Sequence, residues 1–336
     1  MGLTKKTILI TGASGFIGSF LVEQAIKKQY CTIAGIRTAS SKQFLQDPAI
    51  HFLELDFTSD ISLDTALQEC KLKYGQLDFV IHNAGVTKAV NNLLFEEVNF
   101  LNTQKLITAL KRNELVPTKF IYISSLASFG PGIGTEPITA FHQKEPLTAY
   151  GRSKLQAEEL LYQTPDFPFL IFNPTTVYGP REKDVLLLIK SIKKHIEVYI
   201  GTDRQLLSFL HVRDLCDAVF QGIESTAVNC NLLVSDCRIY TAKEFNTIVK
   251  RILHTKTISL ILPVPVVRFA AILSELLGRL SGKVPVLNKE RLKEFEAKNW
   301  GVDCKEIRNL GYLPQYSLEE GLKQTIYWYK AHGWIK

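Results

Sequence analysis

Through the first half of the chain, short continuous apolar runs alternate with stretches whose apolar positions recur every three to four residues. The runs at 7–11, 31–36, 51–55, 78–82, 119–124 and 169–172 predict buried strands, as Ile8-Leu9-Ile10 and Phe79-Val80-Ile81 illustrate. The stretches 15–28, 61–73, 91–112 and 148–163 predict helices. Strands that are apolar at every position are covered on both faces, so the alternation predicts a parallel sheet between two helical layers. Beyond Tyr178-Gly179-Pro180 the regularity stops. A strand at 231–234, preceded by a helix at 212–225, returns to the main sheet. Residues 181–206 and about 237–315 read as a smaller, mostly helical lobe against the strand ends, and 316–336 as a C-terminal helix. The main domain therefore spans 1–180 plus about 207–236. No long linker separates the parts, so they share one cleft.

Composition narrows the picture. The chain has 336 residues, 46% of them apolar, enough for a large core. Its net charge of +7 is spread out, which suits phosphorylated ligands better than nucleic acid, where a concentrated basic stripe is needed. Lys183, Lys190, Lys193 and Lys194 form the densest basic group and read as the wet face of a helix. The six cysteines have no CxxC spacing, which disfavours a zinc site or disulfide framework and fits a reducing cytoplasm. A strand starting at residue 7 leaves no room for a signal peptide. The apolar stretch 258–277 is interrupted by Pro263, Pro265, Arg268 and Glu275, so no stable membrane span is expected. A helix lining an apolar pocket is the preferred reading there, ahead of a helix lying on a membrane surface.

Gly12, Gly15 and Gly18 form G-x-x-G-x-x-G directly after the first strand, with Ser14, Phe16 and Ile17 between them. Glycine permits a tight turn and close backbone approach, and the last one lets helix and strand pack closely. Free N–H groups and the helix dipole then favour a pyrophosphate. Strand, glycines, helix and second strand in that order predict a dinucleotide site. An acidic residue about 20 positions past the glycines would hold the ribose diol of NAD. None stands between Glu23 and Asp47; Arg37 ends the second strand instead, followed by Thr38, Ser40, Ser41 and Lys42. Arginine there pairs with a 2′-phosphate, so NADP(H) is the expected cofactor and NAD(H) the alternative. Asp56 and Phe57 end the third strand, where adenine should lie. Asn83, Ala84 and Gly85 follow the fourth.

Tyr150 and Lys154 stand four apart on one helix face. A free tyrosine has a pKa of about 10, too high for an efficient base at neutral pH. Lowering it by about three units requires about 4 kcal/mol. A cation roughly 5 Å away contributes about 3 kcal/mol at an effective dielectric of 20. The expectation is a phenol acidified by Lys154 together with an oxidised nicotinamide. Ser125, ending the fifth strand, would hydrogen-bond the substrate oxygen. Ser125, Tyr150 and Lys154 are thus the candidate catalytic group. Thr87, Ser125, Tyr178 and Arg181 are the candidate substrate residues; Arg181 reads equally as the partner of a charged substrate or as half of a structural salt bridge. His82 and His211 read as structural, and no second histidine lies at ligand spacing, so no metal is expected.

These pieces resemble the extended short-chain dehydrogenase/reductase superfamily: Thr11 to Gly18, Asp56, His82 to Gly85, Ser124-Ser125, Tyr150 to Lys154, Asn173 to Arg181, and Phe209 to Asp214. Trp300-Gly301-Val302-Asp303 and Leu310 to Pro314 match as well. The resemblance implies an α/β fold, a doubly wound parallel Rossmann sheet with a smaller substrate lobe. It implies Tyr150 as acid/base with Lys154 and Ser125 as partners, and Pro174 to Val177 beside the nicotinamide. It places a structural or proton-relay asparagine at Asn99. It also implies a homodimer through the helices near 91–112 and 148–163. The superfamily's dehydratases use an Asp-Glu pair beside the catalytic hydroxyl, whereas Leu126-Ala127 follow Ser125 here. The segments Pro263 to Arg268 and Leu276 to Leu280 look like its reductase and steroid-dehydrogenase-like branch. The leading expectation is NADP(H)-dependent carbonyl reduction or the reverse oxidation of a small, apolar substrate. Nucleotide-sugar 4-epimerisation is the first alternative. A non-catalytic dinucleotide sensor is the other, although this chain keeps both Tyr and Lys.

Overall fold

The structure, a computed structural model, describes residues 5–335 apart from 90, 203 and 282–288; within the expected lobe, 203 and 282–288 lie outside the described residues. The first half runs β1 (Thr7–Thr11), α1 (Phe16–Lys27), β2 (Cys31–Ile36), β3 (His51–Glu54), α2 (Asp60–Tyr74) and β4 (Phe79–His82). Next come α3 (Leu93–Phe95), a π-helical stretch Glu96–Leu101, α4 (Asn102–Arg112), β5 (Lys119–Ile123), α5 (Ala149–Tyr162) and β6 (Phe169–Pro174). β7 (Thr176–Tyr178), α6 (Asp184–Lys193), β8 (Ile196–Ile200), β9 (Leu206–Leu207), β10 (Phe209–His211), α7 (Val212–Glu224) and β11 (Cys230–Val234) follow. The chain closes with β12 (Tyr240–Thr241), α8 (Ala242–Leu253), β13 (Ile258–Leu262), α9 (Val264–Ser281), α10 (Lys289–Glu296), β14 (Asn299–Trp300), α11 (Lys305–Asn309) and α12 (Leu318–Ala331).

Seven strands form one parallel sheet in the order β11-β6-β5-β4-β1-β2-β3. Alternate residues of β1 serve opposite layers: Ile8 and Ile10 face the core under α1 and α7, while Leu9 faces the core under α2 and α4. Strand order reverses between β1 and β4. In such sheets a crevice opens at that switch point, outside the carboxyl ends of the strands. The glycine turn after β1 and Asn83 after β4 stand on its two sides.

Three expectations are corrected. The helix expected over 91–112 contains a π-helical turn, and the buried Asn99 lies in it. Such turns often mark functional positions. The lobe also holds more strand than predicted. β9 pairs with β12 and β14, and β13 with β8; at the edge of the main domain β10 pairs with β7. Pieces of two to five residues carry too few alternations for a period to be read. The stretch 258–277 is not one helix: it is β13, a break at Pro263, then α9. A separate apolar core gathers α6, α8 and α12 around Tyr178, Phe209 and Tyr329.

Candidate active site

The glycine turn is open where an anion would bind. α1 starts at Phe16 with no side-chain cap, so its first-turn N–H groups are not claimed by a cap. Ser14, Phe16 and Ile17 are half-buried and Gly15 is exposed. A Cβ on Gly18 would overlap the carbonyl oxygen of Gly12, so the close packing of turn and helix requires glycine there. Asn83 donates to the Gly12 carbonyl at 3.3 Å, and the Ala84 N–H donates to Thr11 Oγ1 at 3.1 Å, tying the two sides of the crevice. These residues fit a dinucleotide pyrophosphate: uncapped amides at a helix start, reached over glycine.

Across the crevice, Ser125, Tyr150 and Lys154 meet. Thr148 caps α5 by accepting from the Gly151 N–H at 3.0 Å, which starts the helix two residues before the phenol. A Cβ on Gly151 would overlap the Ala127 carbonyl oxygen, so only glycine lets α5 come this close to the turn after Ser125. Ser125 lies beside the half-buried Tyr150 phenol, close enough to lower its pKa. Lys154 is buried; its ammonium donates to the Ile123 carbonyl at 2.8 Å and lies over the Tyr122 ring. Asn99 accepts from the Val86 N–H at 2.8 Å and donates to the Val86 carbonyl and to Ser153 Oγ, both at 3.0 Å. It joins the loop after Gly85 to the Tyr150 helix.

Burial dominates the electrostatics of the pair in the chain by itself. Burial pushes the Tyr150 phenol up to about 12; Ser125 lowers it and Glu294 raises it further. Burial pushes Lys154 down to about 8, against the opposing pull of Glu158. In the chain by itself desolvation exceeds the lowering by Ser125, so the phenol stands above its ordinary value. The mechanism inferred from spacing omitted the cost of burying both groups.

His82 forms a neutral relay. Its Nδ1 accepts from Thr11 Oγ1 at 2.8 Å, and its Nε2 bonds Thr103 Oγ1 at 3.0 Å. The Thr103 hydroxyl donates to the Asn99 carbonyl, so it accepts from His82, which fixes the proton on Nε2. Burial, then Lys154, pushes His82 down to about 3. Burial likewise holds His211 near 3, packed between Tyr178 and Tyr316.

Not every candidate reaches the crevice. Tyr178 is fully buried, and Gly321 of α12 packs directly on its phenol. It is a core residue, not one that meets substrate. Arg181 donates to Ser19 Oγ at 2.8 Å, pairs with Glu23 at 2.5 Å, and lies over the rings of Phe20 and Phe44. Of its two readings, the salt bridge is the one present. Thr87 is exposed on the loop after Gly85. Arg37 is exposed beyond β2, in a turn closed by Ser40. Thr38 beside it donates to Glu54. Asp56 accepts from the Thr58 hydroxyl and N–H, which hold its carboxyl below the usual range. The Phe57 carbonyl accepts from Lys105 at 2.8 Å. Pro174 ends β6 opposite Val234, and Val177 is half-buried against the main core.

Three features escaped sequence reasoning. Glu158 is fully buried and accepts from Ser124, Ser128, Asn173, Asn231 and Lys144. The signal was present, because Glu158 lies four residues after Lys154 on the same face. α10 supplies two carboxylates to the start of α5: Glu290 accepts from the Ala149 N–H at 2.6 Å and Glu294 from Thr148 Oγ1 at 3.2 Å. Asp184 pairs with both Lys88 and Arg291, joining the loop after β4 to the lobe. Nothing local in the sequence pointed to these tertiary contacts.

A family model described as the NAD dependent epimerase/dehydratase family matches residues 8–230. N-acetyl-alpha-D-glucosaminyl-diphospho-ditrans,octacis-undecaprenol 4-epimerase of Escherichia coli O157:H7 is 24% identical, covering 97% of this chain and 96% of the relative. The decarboxylating sterol-4-alpha-carboxylate 3-dehydrogenase of Saccharomyces cerevisiae is 25% identical over 96% of this chain and 97% of its own length. Among solved structures, dTDP-glucose 4,6-dehydratase of Bacillus anthracis in complex with NAD superposes with a TM-score of 0.76 at 19% identity, covering 97% of both chains.

Proposed function

Because the chain belongs to the NAD dependent epimerase/dehydratase family, we propose that it is a nicotinamide-dependent oxidoreductase interconverting a carbonyl and an alcohol, with Tyr150 as acid/base. The observation that carries this reading is the meeting of the Ser125 hydroxyl and the Tyr150 phenol beside buried Lys154, at the same edge of the parallel sheet as the uncapped glycine turn.

In this reading Gly12, Ser14, Gly15, Phe16, Ile17 and Gly18 hold the pyrophosphate, and Asp56 and Phe57 border the adenine. Asn83, Ala84 and Gly85 line the middle of the site; Tyr150, Lys154, Pro174 and Val177 surround the nicotinamide ribose end. NADP(H) is the preferred form, supported by the exposed Arg37 and by the lack of a carboxylate from 24 to 46. Glu54, beside Thr38, is the group that would favour NAD(H) instead. When bound, the nicotinamide supplies or takes the hydride. Ser125 hydrogen-bonds the substrate oxygen and Tyr150 exchanges its proton with it. A phenol near 12 keeps its proton at neutral pH, so Tyr150 stands in the state that donates to a carbonyl oxygen. Asn99, bonded to Ser153 and Val86, holds the Tyr150 helix against the loop that carries Thr87. A homodimer through α4 and α5 belongs to the same reading, and sedimentation equilibrium tests it.

The deciding assay sets a panel of ketones and aldehydes with NADPH or NADH against UDP- and dTDP-sugars. Net NADPH oxidation with a carbonyl, reduced at least ~100-fold in Tyr150→Phe, is the expected result. Undiminished turnover in that variant overturns the assignment. Sugar interconversion without net cofactor turnover establishes the second reading, 4-epimerisation, which the name of the Escherichia coli relative supports. Dehydration is disfavoured because no acid follows Ser125.

A further inference from the structure

One face of the lobe is apolar where it meets water. β8 and β13 run parallel with Ile196 opposite Ile258, Val198 opposite Leu260 and Ile200 opposite Leu262. Alternation along each strand puts these six side chains on one face of the ribbon. The last pair packs against Val267 and Ala271 of α9. The first two pairs are exposed, Ile258 to 70%.

α9 continues this surface. Val267 and Ala271 fill its inner side together with Leu292 of α10. At ~100° per residue, Pro265, Val266, Phe269, Ile272 and Leu273 fall within roughly 60° of Phe269, on the opposite side. All five are exposed, Phe269 to 70%. That arc holds no polar side chain, and Arg268 at its margin is paired with Glu296. A helix apolar on its outer as well as its inner side needs a second apolar surface for the outer one. A contiguous apolar surface of this kind marks an interaction site. The helix expected to line a pocket therefore turns half of its apolar girth outward.

The edge of this face is cationic. Exposed Lys194 and Lys256 each stand two residues before the first aliphatic pair, at the same end of the ribbon, and neither makes an ion pair among the described residues. Glu197, the carboxylate within β8, is buried and neutralised by Lys250. An aliphatic face rimmed by lysines complements a bilayer surface with anionic headgroups.

We propose that α9 and the β8–β13 ribbon form a docking surface for an anionic phospholipid bilayer, seating the protein on the membrane without crossing it. No helix among the described residues is long and apolar enough to cross. α10, packed on α9, holds Thr148 and Ala149 at the start of the Tyr150 helix. Docking therefore sets the reactive crevice beside the bilayer. That its substrate is a lipid-soluble alcohol or ketone rests on the oxidoreductase reading; the docking itself does not.

The test is flotation of the full chain with phosphatidylcholine vesicles, with and without phosphatidylglycerol, at low and high ionic strength. The protein is expected to float with the phosphatidylglycerol vesicles. Phe269→Asp with Leu273→Asp should lower the bound fraction at least ~10-fold. Lys194→Glu with Lys256→Glu should remove the preference for phosphatidylglycerol. Circular dichroism and dinucleotide binding, measured on the same samples, establish that each variant is folded. They also separate a failure of docking from a failure of the oxidoreductase reading. Absence of binding to both vesicle types, or flotation of the aspartate variant like the parent, overturns the proposal. So does a dimer that the aspartate variant dissociates without any vesicle binding, which assigns the face to a second copy.

Discussion

Lys154 is held in a place that disfavours its own charge, and the cost is measurable. Its ammonium is buried, with one hydrogen bond to the Ile123 carbonyl, and its pKa falls from 10.5 to about 8. At about 1.4 kcal/mol per unit that gap is worth about 3 kcal/mol. The sign follows from proton counting. Between pH 8 and 10.5 the unfolded chain binds the proton and the folded chain does not, so stability rises with pH across that window. Below pH 8 both states carry the charge and the full penalty applies. Above 10.5 neither carries it and the penalty is gone. Lys154→Met removes the titrating group, while every other ionisable residue is present in both proteins. The stability of the parent minus that of the variant should therefore climb by about 2 kcal/mol between pH 7 and 9.5. Urea unfolding at four pH values across that range measures it, and the midpoint and slope are read separately. The lost bond to Ile123 displaces the whole curve and leaves its shape unchanged. A flat difference, or one that falls with pH, would refute burial as the force that sets this lysine's charge.

Three further outcomes are expected. Gly18→Ala forces a Cβ against the Gly12 carbonyl, an overpacking worth about 1–3 kcal/mol. Appearing in binding, it weakens dinucleotide affinity roughly 5- to 150-fold by fluorescence titration. Arg37→Ala should weaken NADPH about 10-fold or more and leave NADH unchanged, because only the 2′-phosphate meets the guanidinium; equal constants before and after remove the NADP assignment. Glu158→Leu strips the acceptor from five donors and leaves Lys144 unpaired, and should cost about 3–5 kcal/mol in urea unfolding.

What the sequence disclosed follows the range of each interaction. Strands covered on both faces were readable because burial on two sides leaves an unbroken apolar run, as in Ile8-Leu9-Ile10 of β1, Phe79-Val80-Ile81 of β4 and Phe120 to Ile123 of β5. The glycine turn was readable because its constraint is steric and local. Tyr150 and Lys154 were placed together by helix geometry alone. Their ionisation was not readable, because burial and the charges of Glu158 and Glu294 act on the pair only in the folded chain. The same holds for Tyr178 and Arg181. Each sits in a motif at the strand end, yet α12 covers one and α1 captures the other. The ribbon of β8 and β13 was invisible because its partners lie 62 residues apart and each strand has five positions.

The Tyr150 helix gathers constraints from every part of the molecule. Its first residues are tied to α10 through Glu290 and Glu294, and its middle to β5 through Lys154. Further along, Glu158 reaches Ser124 after β5, Asn173 on β6 and Asn231 on β11. A buried carboxylate and a buried ammonium are poor investments for stability alone, since apolar replacements of similar volume often do as well. Their common effect is positional. Ser124 precedes Ser125, so the carboxylate that fixes the helix also fixes the strand end carrying the second hydroxyl. Errors of about 1 Å in such a pair cost roughly 100-fold in rate. Two hydroxyls on separate elements keep their spacing only if both elements are fastened to one rigid group, and Glu158 is that group here.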